Sequence, residues 1–269
     1  MVELADTLDL GSCAGNGVGV QVPPLGHHKS SAVSIEFRRA FSLPQGKQMA
    51  SVFKNYSTFF GEIRRRYDTT GAIAPSGAGL AKALASFLKE RGEEPVRVLE
   101  VGPGTGPATA KIVPMLKEGD QFDLVELNDN FVAMLNERFE TEDDWKKVRQ
   151  LSKIHEIPLQ DFQADQPYDF VISGLPHTIF PADLVESIMT RYYELLKPGG
   201  TLSYFEYMGI RPARGIFDIG ANRTRMRKIN EIVRKNFKEY RVRRDNVFAN
   251  IPPAWVCLLY TSPSPRDRG

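Results

Sequence analysis

The chain has 269 residues, 42% of them hydrophobic and 25% charged, a balance typical of a globular domain and not of a disordered chain. It contains no run of about 18 apolar residues, so we expect no membrane span. The first 25 residues lack a basic start followed by an apolar core, which argues against a signal peptide, and the expected location is the cytoplasm. The formal net charge is only +2. Cys13 and Cys257 lack metal-ligand spacing, so neither a disulfide framework nor a metal site is indicated.

The N-terminal quarter divides into two segments. Residues 1–48 are rich in Gly, Ser and Pro without a sustained period, and we expect a disordered or non-native leader. Residues 49–75 are predicted to form an amphipathic helix and lid, with an aromatic stripe flanked by Lys54 and residues 64–66. Two interpretations remain open for this helix. It lies on an anionic membrane surface, or it packs on the domain and covers a ligand pocket.

A domain is predicted over residues 76–256, and its first half alternates helix and strand. Leu80, Leu84, Phe87 and Leu88 mark a helix between Ser76 and Gly92. The segments that follow are a strand at Arg97–Val101, a helix at residues 107–116, a strand at Phe122–Leu127, and a helix capped by Asn128 that bears Phe131, Met134, Leu135 and Phe139.

The second half continues this alternation. Its predicted elements are a weak strand at Lys153–Ile157, a strand at Tyr168–Ser173, a helix opened by Pro181, a turn at Lys197–Gly200, a strand at Thr201–Tyr207, a helix at 222–238, and strands at Tyr240–Phe248 and Ala254–Tyr260. The helix after Pro181 buries one face, formed by Leu184, Val185, Ile188, Met189, Tyr192 and Leu195. We therefore predict an α/β fold, Rossmann-like and doubly wound, with a mostly parallel seven-stranded sheet and helices on both faces.

Charge is concentrated near the C-terminal end. Residues 208–244 contain twelve basic and three acidic side chains and carry +9, against −7 for the rest of the chain. This asymmetry indicates either an anionic partner or a solvated basic face, and the sequence leaves both open. Residues 257–269 (CLLYTSPSPRDRG) resemble a translated sequencing-adaptor tail, and we expect them to be artefactual.

The strongest motif is the glycine-rich loop after the first strand, VLEVGPGTG at residues 98–106. Glycines at alternate positions allow a sharp turn and a close approach of the backbone to a nucleotide. A dinucleotide fingerprint requires glycine at position 107, where this chain has Pro107. Glu100 ends the strand just before the loop, and a carboxylate there favours a cationic ligand over a pyrophosphate.

The spacing E-x-G-x-G-x-G resembles the first motif of class I S-adenosylmethionine-dependent methyltransferases. The resemblance implies that S-adenosyl-L-methionine is the cofactor, that Gly102, Gly104 and Gly106 face its methionine and ribose portions, and that Glu100 orders the loop. The remaining residues that we assign to the cofactor are Pro103, Thr105, Leu127 and Ser173.

Glu126 ends the second strand, 20 residues beyond Gly106. An acid at this place accepts hydrogen bonds from both ribose hydroxyls. Members of the family often carry an acid after the third strand that contacts adenine. Here Glu156, Gln160 and Asp161 are all candidates, and the sequence does not choose among them.

The acceptor site is expected after the fourth strand, at Ser173–His177 (SGLPH). This segment resembles the fourth motif of bacterial phospholipid N-methyltransferases and, more remotely, that of rRNA adenine dimethylases. TGAIAPSG at 70–77 and LLKPGG at 195–200 also follow the order found in the lipid enzymes, so that the resemblance covers most of residues 68–207. The rRNA enzymes need Asn or Asp where this chain has Ser173, which disfavours RNA.

The candidate catalytic residues are His177, Ser173 and Tyr207, with Glu206 as a further candidate. His177 is a possible general base, since a protonated amine cannot attack before it loses a proton. Leu175 and Pro176 are assigned to the wall of the acceptor pocket. His177 is equally well interpreted as an ordinary loop histidine.

The resemblance implies N-methylation of the ethanolamine head group of phospholipids, by an enzyme bound peripherally to the inner face of the membrane. Arg211 and Arg214 are predicted to bind the lipid phosphodiester. The alternatives are a methyltransferase for a soluble small molecule, a protein or RNA, and a non-catalytic nucleoside-binding domain. No obligate protein partner is evident.

Overall fold

The computed structural model describes residues 77–177, 180–208, 241–248, 250 and 252–261, together with residues 227 and 231. The predicted leader, the N-terminal helix, Ser76, Arg211, Arg214 and most of the predicted helix at 222–238 lie outside these ranges.

Helices and strands alternate along the described chain. The α-helices are α1 (Ala78–Ala85), α2 (Thr109–Ile112), α3 (Asp129–Thr141), α4 (Asp143–Lys147) and α5 (Ala182–Leu195). Short 3₁₀ turns follow at Ser86–Glu90, Val113–Met115 and Arg149–Leu151. The strands are β1 (Arg97–Val101), β2 (Gln121–Glu126), β3 (Ser152–Glu156), β4 (Tyr168–Ser173), β5 (Leu196–Tyr207), β6 (Arg241–Val247) and β7 (Ala254–Tyr260).

All seven strands join one sheet in the order β3-β2-β1-β4-β5-β7-β6. Strands β1 to β5 pair in parallel, whereas β7 runs antiparallel to both of its neighbours, β5 and β6. The predicted fold class is confirmed. Parallel strands require crossover connections, and here these carry the helices onto the two faces of the sheet.

Each face of the sheet carries its own apolar core. The face covered by α5 buries all six residues that the sequence assigned to the inner side of that helix. The opposite face is covered by α1 to α4, and Leu80, Leu84, Phe87 and Leu88 are buried there as predicted. Asn128 caps α3 as expected, because its side chain accepts hydrogen bonds from the backbone N–H groups of Asn130 and Phe131.

The predicted inner face of α3 is wrong at one edge. The buried residues are Val132, Leu135 and Phe139, while Met134 is 41% exposed. Positions i, i+3 and i+7 define a stripe centred on Leu135, and Met134 lies about 100° around the helix from that centre. The local sequence allowed either stripe, and packing against the sheet selects one of them.

Two predicted boundaries differ from the structure. The predicted turn at Lys197–Gly200 lies inside β5, where Leu196 pairs with Tyr168 but Thr201 already pairs with Phe170. The intervening residues are looped out of the ladder, so strand and turn coexist there. β7 also continues beyond the predicted domain boundary at residue 256. Cys257–Leu259 pair with β5 on one side and with β6 on the other, and their side chains are buried.

Candidate active site

The loops after β1 and β4 meet at the carboxyl edge of the sheet. These strands are neighbours, and the chain leaves them toward opposite faces, which is where ligands bind in open α/β sheets. The N–H of Gly102 donates to the carbonyl of Val125, and the N–H of Gly174 donates to that of Val101, each at 2.9 Å. A Cβ atom on Gly174 would lie 2.4 Å from the Gly102 oxygen. The two loops therefore pack backbone against backbone.

The three predicted glycines adopt the left-handed conformation that favours glycine, with φ values of 65° at Gly102, 57° at Gly104 and 80° at Gly106. Their surroundings differ. A Cβ on Gly102 would meet the Leu175 side chain at 2.4 Å, whereas a Cβ on Gly104 would meet nothing within 4 Å. Gly104 thus borders open space.

The loop around these glycines is a tight turn. The N–H of Gly106 donates to the carbonyl of Pro103 at 2.9 Å. Pro103 is buried, whereas Thr105 is partly exposed. Of the two predicted contacts, Thr105 is therefore the more accessible to a ligand, and Pro103 shapes the turn.

Glu126 connects the end of β2 to the glycine loop. One carboxylate oxygen accepts a hydrogen bond from the N–H of Gly104 at 3.0 Å, and the other accepts from the N–H groups of Leu127 and Asn128 at 2.9 Å. Burial raises the pKa of Glu126, and these backbone donors oppose that rise. A carboxylate offers about four acceptor positions, so capacity for a ribose hydroxyl remains beside Gly104.

Glu100 lies beneath the loop and is fully buried. One of its oxygens accepts a hydrogen bond from the Thr109 hydroxyl at 2.7 Å, and the other has no hydrogen-bond partner among the described residues. Burial raises the pKa of Glu100 to about 8, and the nearby charge of Glu126 adds to the rise. A buried carboxyl group with a free oxygen fits a cationic ligand, which would stabilise the ionised form.

The loop after β4 is held from below by Tyr192 of α5. The hydroxyl of Ser173 lies 2.6 Å from that of Tyr192 and also accepts the N–H of Leu175 at 3.2 Å. Ser173 is fully buried, so this hydroxyl belongs to the support of the loop. Leu175 and Pro176 are partly exposed, and Leu175 reaches across to Gly102.

His177 is only 2% exposed, and its Nε2 atom lies 3.2 Å from the Tyr192 hydroxyl. Its ring makes edge contacts with Phe180, Tyr192 and Tyr204, at centroid distances of 5.4 to 6.4 Å. The imidazole is therefore part of the packing beneath the loop. Its role as a general base stays a proposal that would require this loop to move.

Glu206 and Tyr207 are both buried at the end of β5. Successive residues of a strand project to opposite faces, so these two side chains lie on different sides of the sheet. Tyr207 packs against Phe205 on the α1 side, and burial raises its pKa. Glu206 therefore lies on the same side as Tyr204 and His177, the side covered by α5.

The three candidates for adenine contact occupy different places. Glu156 ends β3 as the register partner of Glu126 and is exposed. Gln160 and Asp161 belong to a turn in which the N–H of Asp161 donates to the carbonyl of Pro158. Glu156 thus lies nearest to Glu126 along the sheet edge.

Three functional groups were missed by the sequence analysis. Thr109 lies inside a helix without any distinguishing pattern, and Tyr192 was assigned only to the apolar face of α5, which conceals the role of its hydroxyl. Arg138 of α3 also contacts the glycine loop, at the carbonyl of Thr105. None of the three belongs to a local motif, so sequence spacing gave no signal for them.

No group of three or more His, Cys, Asp or Glu side chains is arranged to hold a metal ion in the described ranges. No helix in that part of the chain is long and apolar enough to span a bilayer.

Parts of this chain resemble known proteins in sequence. Residues 98–200 match the model of a family described as a methyltransferase domain. The ornithine lipid N-methyltransferase of Singulisphaera acidiphila is 28% identical over 159 residues, which cover 58% of this chain and 79% of that protein.

Solved structures share the fold at low sequence identity. An O-methyltransferase from Bacillus cereus, crystallised with S-adenosylhomocysteine, has a TM-score of 0.51 at 10% identity and covers 85% of this chain and 97% of its own. The O-methyltransferase TomG from Streptomyces achromogenes, crystallised with S-adenosylmethionine, has a TM-score of 0.50 at 14% identity, covering 86% and 96%.

Proposed function

This chain is a class I S-adenosylmethionine-dependent methyltransferase, and on that premise we propose that it methylates the amino group of a phospholipid ethanolamine head group. The observation that carries methyl transfer lies at the carboxyl ends of β1 and β2, where Glu126 accepts a hydrogen bond from the N–H of Gly104 and a Cβ atom on Gly104 would meet nothing within 4 Å. The relative from Singulisphaera acidiphila, whose name specifies a lipid amine, supports the choice of acceptor.

Glu126, Glu100 and Gly104 have different proposed roles in cofactor binding. S-adenosylmethionine, when bound, supplies a methyl group on a sulfonium that is already activated for displacement. Glu126 is proposed to accept hydrogen bonds from the ribose hydroxyls, and Glu100 to favour the positive charge from below the loop. Gly104 allows the backbone to approach closely.

The loop after β4 is proposed to receive the acceptor. Methyl transfer is an in-line displacement, so the enzyme has to align the amine and exclude water. The acceptor ammonium would have to lose a proton before its nitrogen could take the methyl group, with the bonding electrons of the carbon–sulfur bond left on the sulfur of the cofactor. Leu175 and Pro176 form an apolar wall beside the glycine loop, and His177 is the proposed proton acceptor.

The experiment is transfer of radiolabelled methyl groups by the purified full chain, followed by partition between organic and aqueous phases. The acceptors are vesicles containing phosphatidylethanolamine, vesicles containing ornithine lipid, vesicles of phosphatidylglycerol alone, soluble phosphoethanolamine, and RNA. We expect label in the organic phase with phosphatidylethanolamine. Transfer only to ornithine lipid would correct the head group, and label confined to the aqueous phase would end the lipid proposal.

A matched pair of variants connects this activity to Glu126. Glu126→Gln places an amide N–H against the N–H of Gly104 and removes one ribose acceptor, and we expect about tenfold weaker cofactor binding or more. Glu137→Gln makes the same change of charge at an exposed position of α3 and should leave binding unchanged. Equal effects of the two substitutions would contradict the assignment of Glu126.

A further inference from the structure

The outer side of the glycine loop is held by an arginine from α3. The Nη1 atom of Arg138 donates to the carbonyl of Thr105 at 2.8 Å and lies 3.3 Å from that of Gly106. Glu126 holds the opposite side of the same loop through the N–H of Gly104. The loop is therefore fixed from both sides by residues that the chain supplies consecutively, from β2 and α3.

The guanidinium of Arg138 is itself fixed by two neighbours. Its Nε and Nη2 atoms donate to the two carboxylate oxygens of Glu142, at 2.6 and 3.1 Å. Its central carbon lies 4.1 Å from the centroid of the Trp145 ring, a stacking distance. One planar group thus links α3, α4 and the loop, which a lysine ammonium cannot do because it is a single point of charge.

The packing around Gly106 shows how closely these groups enclose the loop. A Cβ atom at this position would lie 2.8 Å from Trp145, 2.9 Å from Arg138 Nη1 and 3.1 Å from Leu135. Gly104, two residues earlier, borders open space. One side of the loop is therefore enclosed by protein, and the other borders this open space.

We propose that Arg138, held by Glu142 and Trp145, is a positioning residue for the cofactor. It does not touch the ligand. It directs the carbonyls of Thr105 and Gly106 away from this open space, so that the backbone at Gly104 keeps the conformation that receives the ligand. The inference rests on the proposed assignment of the glycine loop to the cofactor and is independent of the methyl acceptor.

The test is titration of the purified full chain with S-adenosylmethionine, without acceptor, by calorimetry. Binding of the cofactor depends on loop geometry at the level of about 0.5 Å. We expect Arg138→Lys to weaken binding about tenfold. In the separate radiolabel assay with acceptor vesicles, we also expect the cofactor KM to rise in parallel while kcat at saturating cofactor changes less than about twofold.

Arg149→Lys is the matched control. Arg149 also lies over an aromatic ring, that of Phe139 at 5.6 Å, and donates to a backbone carbonyl, that of Ser152 at 3.0 Å. It has no hydrogen bond to the glycine loop among the described contacts, so this variant should bind the cofactor like the wild type. Equal weakening by both substitutions would show a general packing effect and overturn the proposal.

A spectroscopic readout follows Trp145 directly. The chain contains two tryptophans, so a Trp255→Phe background leaves Trp145 as the fluorophore. We expect cofactor binding to change its emission when Arg138 is present, and this change to be reduced in Arg138→Lys. An unchanged response in the variant would contradict the proposed connection between ring, guanidinium and loop.

A second variant covers the case in which Arg138→Lys fails to fold. Glu142→Gln leaves both loop contacts of Arg138 in place but weakens its anchor, and we expect about threefold weaker cofactor binding. Wild-type affinity in this variant, or in a folded Arg138→Lys, overturns the inference while the proposed function stands. Absence of cofactor binding by the wild type would instead overturn the assignment of the loop itself.

Discussion

The side chain of Glu100 combines complete burial with an unpaired oxygen, which makes its ionisation costly in the ligand-free protein. Its pKa is raised from 4.5 to about 8, first by burial and then by the charge of Glu126, against the hydrogen bond from Thr109. The unfolded chain exposes this carboxyl group to water. Folding therefore changes its affinity for a proton, and stability must depend on pH.

Glu100→Gln should remove that dependence. Between pH 4.5 and about 8 the unfolded chain has released the proton that the folded chain retains. The wild-type free energy of unfolding therefore falls as pH rises, by up to about 1.4 kcal/mol per pH unit from this group. Below 4.5 and above about 8 both states carry the same charge, and the contribution becomes flat.

Urea denaturation at several pH values measures this effect. The variant should be more stable than the wild type near pH 8, by an amount that shrinks toward pH 4.5. The exposed Glu137→Gln serves as the control, with the wild-type profile expected. Parallel profiles for the wild type and Glu100→Gln would show that Glu100 is already ionised at neutral pH in the folded protein.

The buried hydroxyl pair of Ser173 and Tyr192 allows a second prediction about single residues, which concerns stability. Each of Ser173→Ala and Tyr192→Phe leaves a buried polar partner, which costs about 1–3 kcal/mol of unfolding free energy. Because both remove the same hydrogen bond, the double variant should lose less than the sum by about 1 kcal/mol. Additive losses in urea denaturation would show that the two hydroxyls do not interact.

The parts of the site that the sequence predicted are those contributed by contiguous segments. Glu100 and the three glycines stand in one motif, and Glu126 follows from the end of the next strand. Tyr192 and Arg138 come from helices far along the chain and act through atoms that no local pattern marks. The burial of His177 was also unpredictable, since it depends on rings from α5 and β5 packing around it.

At the scale of elements, the helices show where hydrophobic periodicity alone is sufficient to predict which face is buried. All six residues predicted for the inner side of α5 are among its nine buried residues, because its apolar stripe is wide and unambiguous. In α3 the residues Phe131, Val132, Met134 and Leu135 allow two overlapping stripes, and the contact with β2 and β3 decides between them. The strands were predicted to within about one residue, except β5, which begins at Leu196 and not at Thr201. Continuous apolar runs between turns are characteristic of buried parallel strands, which is why the parallel strands were recognised.

The glycine loop behaves as one element, and substitutions along it should have separable effects. Gly104→Ala places a side chain at a left-handed φ without a steric clash, and should lower the free energy of unfolding by about 1–2 kcal/mol. Gly106→Ala also overpacks against Trp145 and Leu135, which should lower the free energy of unfolding by about 1–3 kcal/mol more. Urea denaturation should therefore rank Gly106→Ala as the less stable variant.

Cofactor affinity should separate these two variants further. The new methyl group of Gly104→Ala enters the open space beside the loop, so a folded variant should bind S-adenosylmethionine weakly. Calorimetry at a temperature where both variants are folded makes the comparison. Normal affinity in Gly104→Ala would mean that the ligand does not approach the loop at this position.

At the scale of the whole molecule, charge is distributed unevenly, with +9 in residues 208–244 and −7 in the remainder. Most of this basic segment lies outside the described residues, but its start is fixed, because Met208 directly follows the end of β5 at the carboxyl edge of the sheet. The same edge carries the loops that follow β1 and β4. A basic segment that leaves the sheet at this edge would bring an anionic surface toward the proposed acceptor site.

We therefore expect binding to anionic vesicles that depends on salt. Sedimentation with phosphatidylglycerol vesicles should be strong at about 0.05 M salt and largely lost at about 0.5 M, where charges are screened within a few ångströms. Arg211→Ala with Arg214→Ala removes two charges, worth up to about 2 kcal/mol or roughly 30-fold in partition, and should raise the lipid KM. Lys146→Ala with Lys147→Ala removes equal charge from α4, where both are paired with aspartates, and should have little effect. Binding that is insensitive to salt, or lost equally in both double variants, would mean that the basic segment is a solvated face and that the lipid is reached by another surface.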